Sequence, residues 1–476
     1  MDKIQRYIDG RSCGILGLGV SNLPLARILC DMGVPLTVRD KKSLCELGEG
    51  ALALEERGVR FICGGECFDE ISEDVIFRSP GIRPDIVGIK NALARGACLT
   101  SEIELLLEFC KAETYGITGS DGKTTTTTLT GKFLEAESER AGKGKVYVGG
   151  NIGTPLLEFC EDMTEDDRTV LELSSFQLMT VKKAPRNIAI TNITPNHIDW
   201  HGAMDEYIWA KKNIIGENTC RVVVNRDNEE TRKIGEALAA EGGREVIFFS
   251  SSATSMDEAV PAGCEGALGV IIKDGYVVVG NGDSSERVLD TSLVRVPGKH
   301  NLENFMTAIG LTYRHVKNKV YERVAREFTG VPHRLEWVRE LDGVDYYNSS
   351  IDSSPTRTAA ALSALGDRDI VVICGGYDKK IPYEPLAKAL YKYARGVVLT
   401  GATRDKIYQA IKECDDTLGR ELEVRIEPDF ANAVRTARTM AKKGGCVALS
   451  PASASFDAFK NFSERGDTFK RIVNEL

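Results

Sequence analysis

The sequence predicts an α/β protein of several units. Three observations carry this: a length of 476 residues, too long for one ordinary domain; short apolar runs that end in glycines and lead into helical spacing; and the return of that pattern in three parts of the chain. The boundaries read as 1–101, 102–330 and 331–476.

In the first unit, Cys13-Gly-Ile-Leu-Gly-Leu-Gly19 is an apolar strand closing in glycines. The stretch from Asn22 to Leu29 has helical spacing, with Pro24 tolerable in a first turn. Leu36-Thr-Val-Arg-Asp40 is a second strand, ending in an acid about twenty residues after the glycines. Gly17 and Gly19 stand as in a dinucleotide-binding turn, but Asn22 holds the third glycine position. A dinucleotide, another nucleotide diphosphate and a purely structural turn all fit this Rossmann-like beginning. Val75 to Ile82 is a further strand running into a turn.

The central unit carries the most informative stretch, Tyr115-Gly-Ile-Thr-Gly-Ser-Asp-Gly-Lys-Thr-Thr125. Its spacing, G-x-x-G-x-x-G-K-T over Gly116, Gly119, Gly122, Lys123 and Thr124, is a variant of the usual phosphate loop. Glycines let backbone N–H groups turn onto phosphate oxygens, a lysine neutralises the outer phosphates, and a threonine hydroxyl faces Mg²⁺. Lys145 to Gly153 is a short strand ending in glycines and Asn151, and Thr169 to Glu172 is a buried strand closed by an acid suited to Mg²⁺. His197, Asp199 and His201 follow another strand, where a metal or substrate role is raised. By composition, Lys211 and Lys212 read as surface charges. Residues 226–292 read as antiparallel strands and loops, and the segment after Pro297 as an apolar helix.

In the last unit, Asp369–Gly376 and Gly445–Pro451 read as buried parallel strands separated by helices such as 384–393. Ligands of open sheets gather beyond such strand ends, which singles out Lys379, Ser450 and the loop around Ser455.

Bulk properties exclude several classes. A net charge of −9 offers no basic field to a nucleic acid. No apolar run reaches the roughly 18 residues of a membrane span, and the N-terminal residues lack the apolar core of a signal peptide. The 13 cysteines are scattered, without zinc spacing, and read as reduced thiols in a cytoplasmic protein.

Gly116 to Thr124, Gly150-Asn-Ile-Gly153, Leu171-Glu-Leu-Ser-Ser-Phe-Gln177, Asn196-His-Ile-Asp199, His300-Asn301 with Asn304, and Pro332-His-Arg334 together resemble the Mur ligases of bacterial cell-wall synthesis. The resemblance covers nearly the whole chain in order. The Leu171–Gln177 and Ser450–Gly466 segments resemble the D-glutamate-adding branch. It implies ATP-dependent formation of an acyl phosphate on UDP-N-acetylmuramoyl-L-alanine, attacked by the amine of D-glutamate, in a cytoplasmic monomer. By matching positions it implies that Gly119, Ser120, Asp121, Gly122, Lys123, Thr124, Thr125, Asn301, Asn304 and Arg334 bind ATP. Val20, Ser21, Asp40, Lys41 (or Lys42), Ser79 and Asn151 would meet the UDP-substrate. Ser353, Lys379, Ser455 and Phe462 would form the D-glutamate pocket. Two Mg²⁺ ions are implied, one at Thr124 and Glu172, the other at His197 and Lys211, the lysine as a carbamate. Lys123, Glu172, His197 and Lys211 are the implied catalytic set. Where the family carries Asn-Asp-Ser with Lys-Ala-Thr, this chain has Asn348-Ser-Ser-Ile-Asp-Ser-Ser354, with Ser349 in place of the Asp and Ile351 in place of the Lys. A Mur-type ligase with another acceptor amino acid, and an ATP-binding regulatory module that has lost ligation, remain as alternatives.

Overall fold

The structure is a computed structural model that describes residues 2–282, 284–366, 368–418 and 422–476. Three sheets organise it. The first contains β1 (Cys13–Leu16), β2 (Leu36–Asp40), β3 (Arg60–Cys63), β4 (Val75–Arg78) and β5 (Cys98–Thr100), in the order β3-β2-β1-β4-β5, with all pairings parallel. Order reverses about β1, so the Gly17–Gly19 turn opens at a switch point, where ligands of such sheets bind.

The second sheet contains β6 (Glu113–Thr118), β7 (Val146–Gly150), β8 (Arg168–Glu172), β9 (Asn187–Ile190), β10 (Arg221–Asn225), β11 (Glu245–Ser250), β12 (Leu268–Lys273), β13 (Tyr276–Gly280) and β14 (Ser285–Asp290). Their order is β14-β13-β12-β11-β10-β9-β6-β8-β7. Only the β12–β13 and β13–β14 pairings are antiparallel. The antiparallel expectation for 226–292 therefore holds only for its last third. A helix, Glu229–Glu241, and the parallel strand β11 occupy the rest. The helix is hard to read because its buried face is narrow: Thr231, Ile234, Gly235 and Leu238 in a charged surround. Gly235 lies so close to Phe248 and Val224 that a Cβ would come within 2.6 Å of both.

The third sheet contains β15 (Glu336–Leu341), β16 (Val344–Asn348), β17 (Ile370–Gly375), β18 (Ala394–Thr400), β19 (Glu423–Ile426) and β20 (Cys446–Leu449), in the order β15-β16-β20-β17-β18-β19, with only β15 antiparallel to its neighbour. Central strands such as β17 are buried along their whole length, as a sheet covered on both faces requires.

Contacts divide the chain into two compact units, Met1–Thr291 with Glu303–Val324, and Ser292–Leu302 with Ala325–Leu476. The first two sheets share one unit because one apolar cluster joins them, from Ile15, Val38 and Val75 through Leu105 and Leu157 to Leu171, Ile188 and Val222. The third sheet has its own cores on its two faces. All thirteen cysteines are free. Cys45, Cys63 and Cys220 are exposed, and Cys374, Cys414 and Cys446, those of the second unit, are buried. No helix among the described residues is long and apolar enough to cross a membrane.

Candidate active site

β6 lies between β8 and β9, and the chain leaves its carboxyl end into the phosphate loop before the helix Lys123–Ala141 begins. Gly122 caps that helix in the left-handed region at φ 81°, and Gly119 stands at φ 149°. Both need to be glycine for space as well. A Cβ on Gly119 would lie 1.9 Å from Thr191 Oγ1, and one on Gly122 would lie 2.4 Å from Asn304 Oδ1. Gly119→Ala is expected to cost about 2 kcal/mol of stability or more and to weaken ATP binding, as shown by the melting midpoint with and without Mg·ATP.

The loop is held from several sides. Ser120 Oγ donates to Thr194 O (2.9 Å) and lies 2.9 Å from Tyr207 OH. Asp121 N donates to Asn192 Oδ1 (2.9 Å), and Thr191 Oγ1 donates to Asp121 O (2.5 Å). Thr126 Oγ1 donates to Asn304 Oδ1 (3.2 Å), which joins Asn304 to the loop helix. Thr124 is half-buried and Thr125 buried in the helix's first turn.

Two lysines meet on one carbonyl. Lys123 Nζ donates to Gly119 O and Ser120 O, both at 2.9 Å, and Lys211 Nζ donates to Gly119 O at 2.7 Å. Lys211 is not a surface charge: it is 1% exposed, and its ammonium stands 4.5 Å from the centre of the Tyr207 ring. Burial, helped by the Lys123 cation, pushes its pKa down to about 6. Lys212, one residue on, is exposed as expected.

Glu172 ends β8 directly beside Ile117 of β6. It is 2% exposed; Oε1 accepts from Asn151 Nδ2 (2.8 Å), and Oε2 has no hydrogen-bond partner. His197 caps the short helix Ile198–His201 with left-handed backbone, φ 55°. Desolvation, and then the Lys123 cation, hold its imidazole below the ordinary range. Its neighbour His201 differs from the expected ligand role: it is buried, Nε2 lies 2.9 Å from Ser175 Oγ, and its ring stacks on Phe176 at 5.5 Å. Asp199 is exposed.

In the first sheet, Asp40 Oδ2 accepts from Leu18 N in the glycine turn (2.9 Å), and Oδ1 accepts from Lys42 N (3.0 Å). Asn22, at the odd third position, donates to Gly17 O (2.7 Å) and so closes the turn with its side chain. Ser79 packs on Gly17, where a Cβ would lie 2.9 Å from its own. Ser21 is half-buried and Lys41 exposed; the side chain of Val20 lies outside the described residues.

In the second unit, Lys379 Nζ donates to Ser353 Oγ (3.2 Å) and Ser353 O (3.3 Å). Ser455 is buried on the neighbouring loop, where Tyr377 N donates to Ala454 O (2.9 Å). Phe462 is 38% exposed, and its carbonyl accepts from Ser350 Oγ (2.8 Å). Asn301 Nδ2 donates to Pro297 O (2.6 Å), and Arg334 is exposed.

The departing stretch has a definite arrangement. Ser349 Oγ accepts from Leu335 N (3.1 Å) and holds the backbone before β15. Asp352 is buried, and Oδ2 accepts from Ser450 Oγ (2.8 Å). Burial raises its pKa to about 6. The folded chain thus keeps this proton to higher pH than the unfolded chain, and stability falls as pH rises from the ordinary aspartate value to about 6. Above that window the ionised form costs about 3 kcal/mol. Asp352→Asn is expected to raise the denaturation midpoint at about pH 8, with the gain shrinking toward about pH 4; a gain independent of pH would refute the assignment.

Sequence reasoning missed Thr191, Tyr207 and Arg465. Tyr207 was accessible, since it lies four residues before Lys211 on one helix face. Arg465 joins loops far apart in the chain, donating to Ser350 O (2.8 Å) and Ala454 O (3.0 Å), and carries no local signal.

Residues 117–312 match the Mur ligase middle domain, and residues 333–453 the Mur ligase glutamate ligase domain. The chain is 40% identical over 481 residues to the UDP-N-acetylmuramoylalanine–D-glutamate ligase of Ruminiclostridium cellulolyticum, covering 100% of this chain and 99% of that one. It is 42% identical over 478 residues to the protein of the same name from Clostridium beijerinckii, with the same coverage. Among solved structures, UDP-N-acetylmuramate–alanine ligase from Thermotoga maritima has a similar fold, with TM-score 0.54 at 17% identity, covering 98% of this chain and 99% of that one. A pseudomurein peptide ligase type C from Methanothermus fervidus gives 0.52 at 16% identity, with coverage of 98% and 99%. The phosphate loop, the acid beside it and the two matched domains lead to one conclusion: the chain belongs to the Mur ligase family.

Proposed function

We propose that the chain is the ATP-dependent ligase that joins D-glutamate to UDP-N-acetylmuramoyl-L-alanine in peptidoglycan synthesis. The observation that carries this is the full-length identity of 40–42% to ligases of that name. A carboxylate is a poor electrophile until one oxygen becomes a leaving group. The γ-phosphoryl of ATP passes to that oxygen and gives an acyl phosphate and ADP. The amine of D-glutamate then displaces phosphate and forms the amide.

Lys123, at the mouth of the loop, offsets the charge of two anions brought together. The turn at Gly17–Gly19 with Ser21, Asp40, Lys41 and Ser79, and Asn151 beyond the end of β7, are the UDP-substrate contacts. Lys379 pairs with the side-chain carboxylate of D-glutamate, beside Ser353, Ser455 and Phe462. By their matched positions, Asn301, Asn304 and Arg334 are the further residues assigned to ATP. Three domains, 1–101, 102–330 and 331–476, divide this labour; the three separate sheets support that division. The enzyme acts as a monomer in the cytoplasm, where ATP and nucleotide-linked sugars are made.

The residues present suit Mg²⁺. Glu172 Oε2 is a buried acceptor without a donor, and a cation satisfies such an oxygen. Thr124 and Glu172 would hold one ion, and His197 with Lys211 a second; bound there, Mg²⁺ supplies charge that neutralises the phosphates. Lys211 suits carbamylation, because its depressed pKa leaves a neutral amine able to add to CO₂ with release of one proton, and the Lys123 cation would balance the anion formed.

Incubation with ATP, Mg²⁺, UDP-N-acetylmuramoyl-L-alanine and D-glutamate is expected to yield the amide with one phosphate per product. Phosphate release only with another amino acid would shift the acceptor, and nucleotide binding without product would favour a regulatory module.

A further inference from the structure

Arg78, the last residue of β4, is 1% exposed. It meets no carboxylate: its guanidinium donates to main-chain carbonyls and one hydroxyl. Nη1 donates to Ile82 O (2.6 Å), Pro80 O (3.2 Å) and Ser79 O (3.4 Å), so it gathers the turn that follows β4. Nη2 donates to Phe176 O (2.7 Å) and Thr180 Oγ1 (3.2 Å), in the segment that follows Glu172. Burying an unpaired cation is costly, and desolvation alone pushes this guanidinium down to about 10. A purely structural link between two loops would be made more cheaply by apolar packing.

What the two loops carry explains the arrangement. Ser79 N donates to Leu16 O (2.9 Å), and Ser79 packs on Gly17, so the Nη1 side holds the glycine turn. On the Nη2 side, the Phe176 ring lies 5.0 Å from His197 and 4.6 Å from Trp200. A second grip runs in parallel: Arg83 donates to Trp200 O (2.5 Å) and Glu206 Oε1 (2.8 Å) and lies 5.1 Å from the centre of the Trp200 ring. Within six residues, the end of β4 and the loop after it thus hold both the segment after β8 and the one carrying His197.

We infer that Arg78 is a positioning residue that couples the UDP-substrate turn to the phosphoryl-transfer site, fixing where the substrate carboxylate arrives relative to His197 and Lys123. This rests on the proposed assignment of Ser79 and the glycine turn to the UDP-substrate. A planar fork with donors on two edges can hold both loops at once; a lysine ammonium presents its three donors from a single nitrogen and cannot reproduce the two separated edges.

The test uses the full-length enzyme with Arg78→Met and Arg78→Lys, and steady-state kinetics for each substrate. Both variants are expected to lose roughly tenfold or more in kcat and to raise KM for UDP-N-acetylmuramoyl-L-alanine, while KM for ATP stays within about twofold. A merely structural role would lower the melting midpoint and active fraction and leave both KM values unchanged. If Arg78→Met fails to fold, Thr180→Val, which removes one anchor of Nη2, is expected to show the same KM-selective effect at smaller size. Wild-type kinetic constants in the folded variants, or equal effects on both substrates, would overturn the inference and leave the ligase assignment standing. Absence of amide product from the wild type would instead overturn that assignment, and this inference with it.

Discussion

Lys123→Ala is expected to lower kcat by about 10³-fold or more, the scale on which removing a preorganised charge from a phosphoryl-transfer site acts. The ammonium is held by the carbonyls of Gly119 and Ser120, so it is already in place before any phosphate arrives and needs little reorganisation. The substitution has a second effect. Lys123 is the largest charge that depresses the Lys211 pKa after burial itself, so its removal lets Lys211 hold a proton to higher pH. Phosphate release, measured beside the melting midpoint, checks the first effect. Activity within tenfold of wild type would take the phosphate loop out of the mechanism.

Lys211→Ala is expected to be nearly inactive and to regain part of its activity with added formate, acetate or propionate. The native side chain fills a closed space, 1% exposed, against Tyr207 and the Gly119 carbonyl. Alanine leaves room there for a small carboxylate to supply the anionic oxygens that a carbamate would have brought. Lys211→Met fills the same volume without an anion, so it should stay inactive whatever is added. Full activity of Lys211→Ala, or rescue of both variants alike, would exclude the carbamate.

The elements that could be read from the sequence are those whose signal is local. The phosphate loop announces itself because glycines, a lysine and threonines must stand in order at the end of one strand. Glu172 is legible as an acid closing an apolar run. The ends of β17 and β20 are legible for the same reason, and they place Lys379 and Ser450 correctly at the carboxyl edge of their sheet. What escapes reading is burial imposed by the rest of the chain. Lys211 looks like Lys212 until helix packing turns one inward and the other out. His201 looks like His197 until Ser175 and Phe176 claim it. Arg78 and Arg465 donate across 98 and 115 residues of sequence, a distance at which spacing carries no information.

The distribution of thiols has a practical consequence. Cys45, Cys63 and Cys220 are exposed in the first unit, whereas Cys374, Cys414 and Cys446 are buried in the second, where desolvation raises the Cys446 pKa to about 12 and that of Cys374 further. Because the thiolate is the reactive form, a maleimide fluorophore applied to the native protein should label the first unit and spare the second. With Cys45, Cys63 and Cys220 replaced by serine, one cysteine introduced on the surface of the second unit would then supply a site-specific probe there without rebuilding its core.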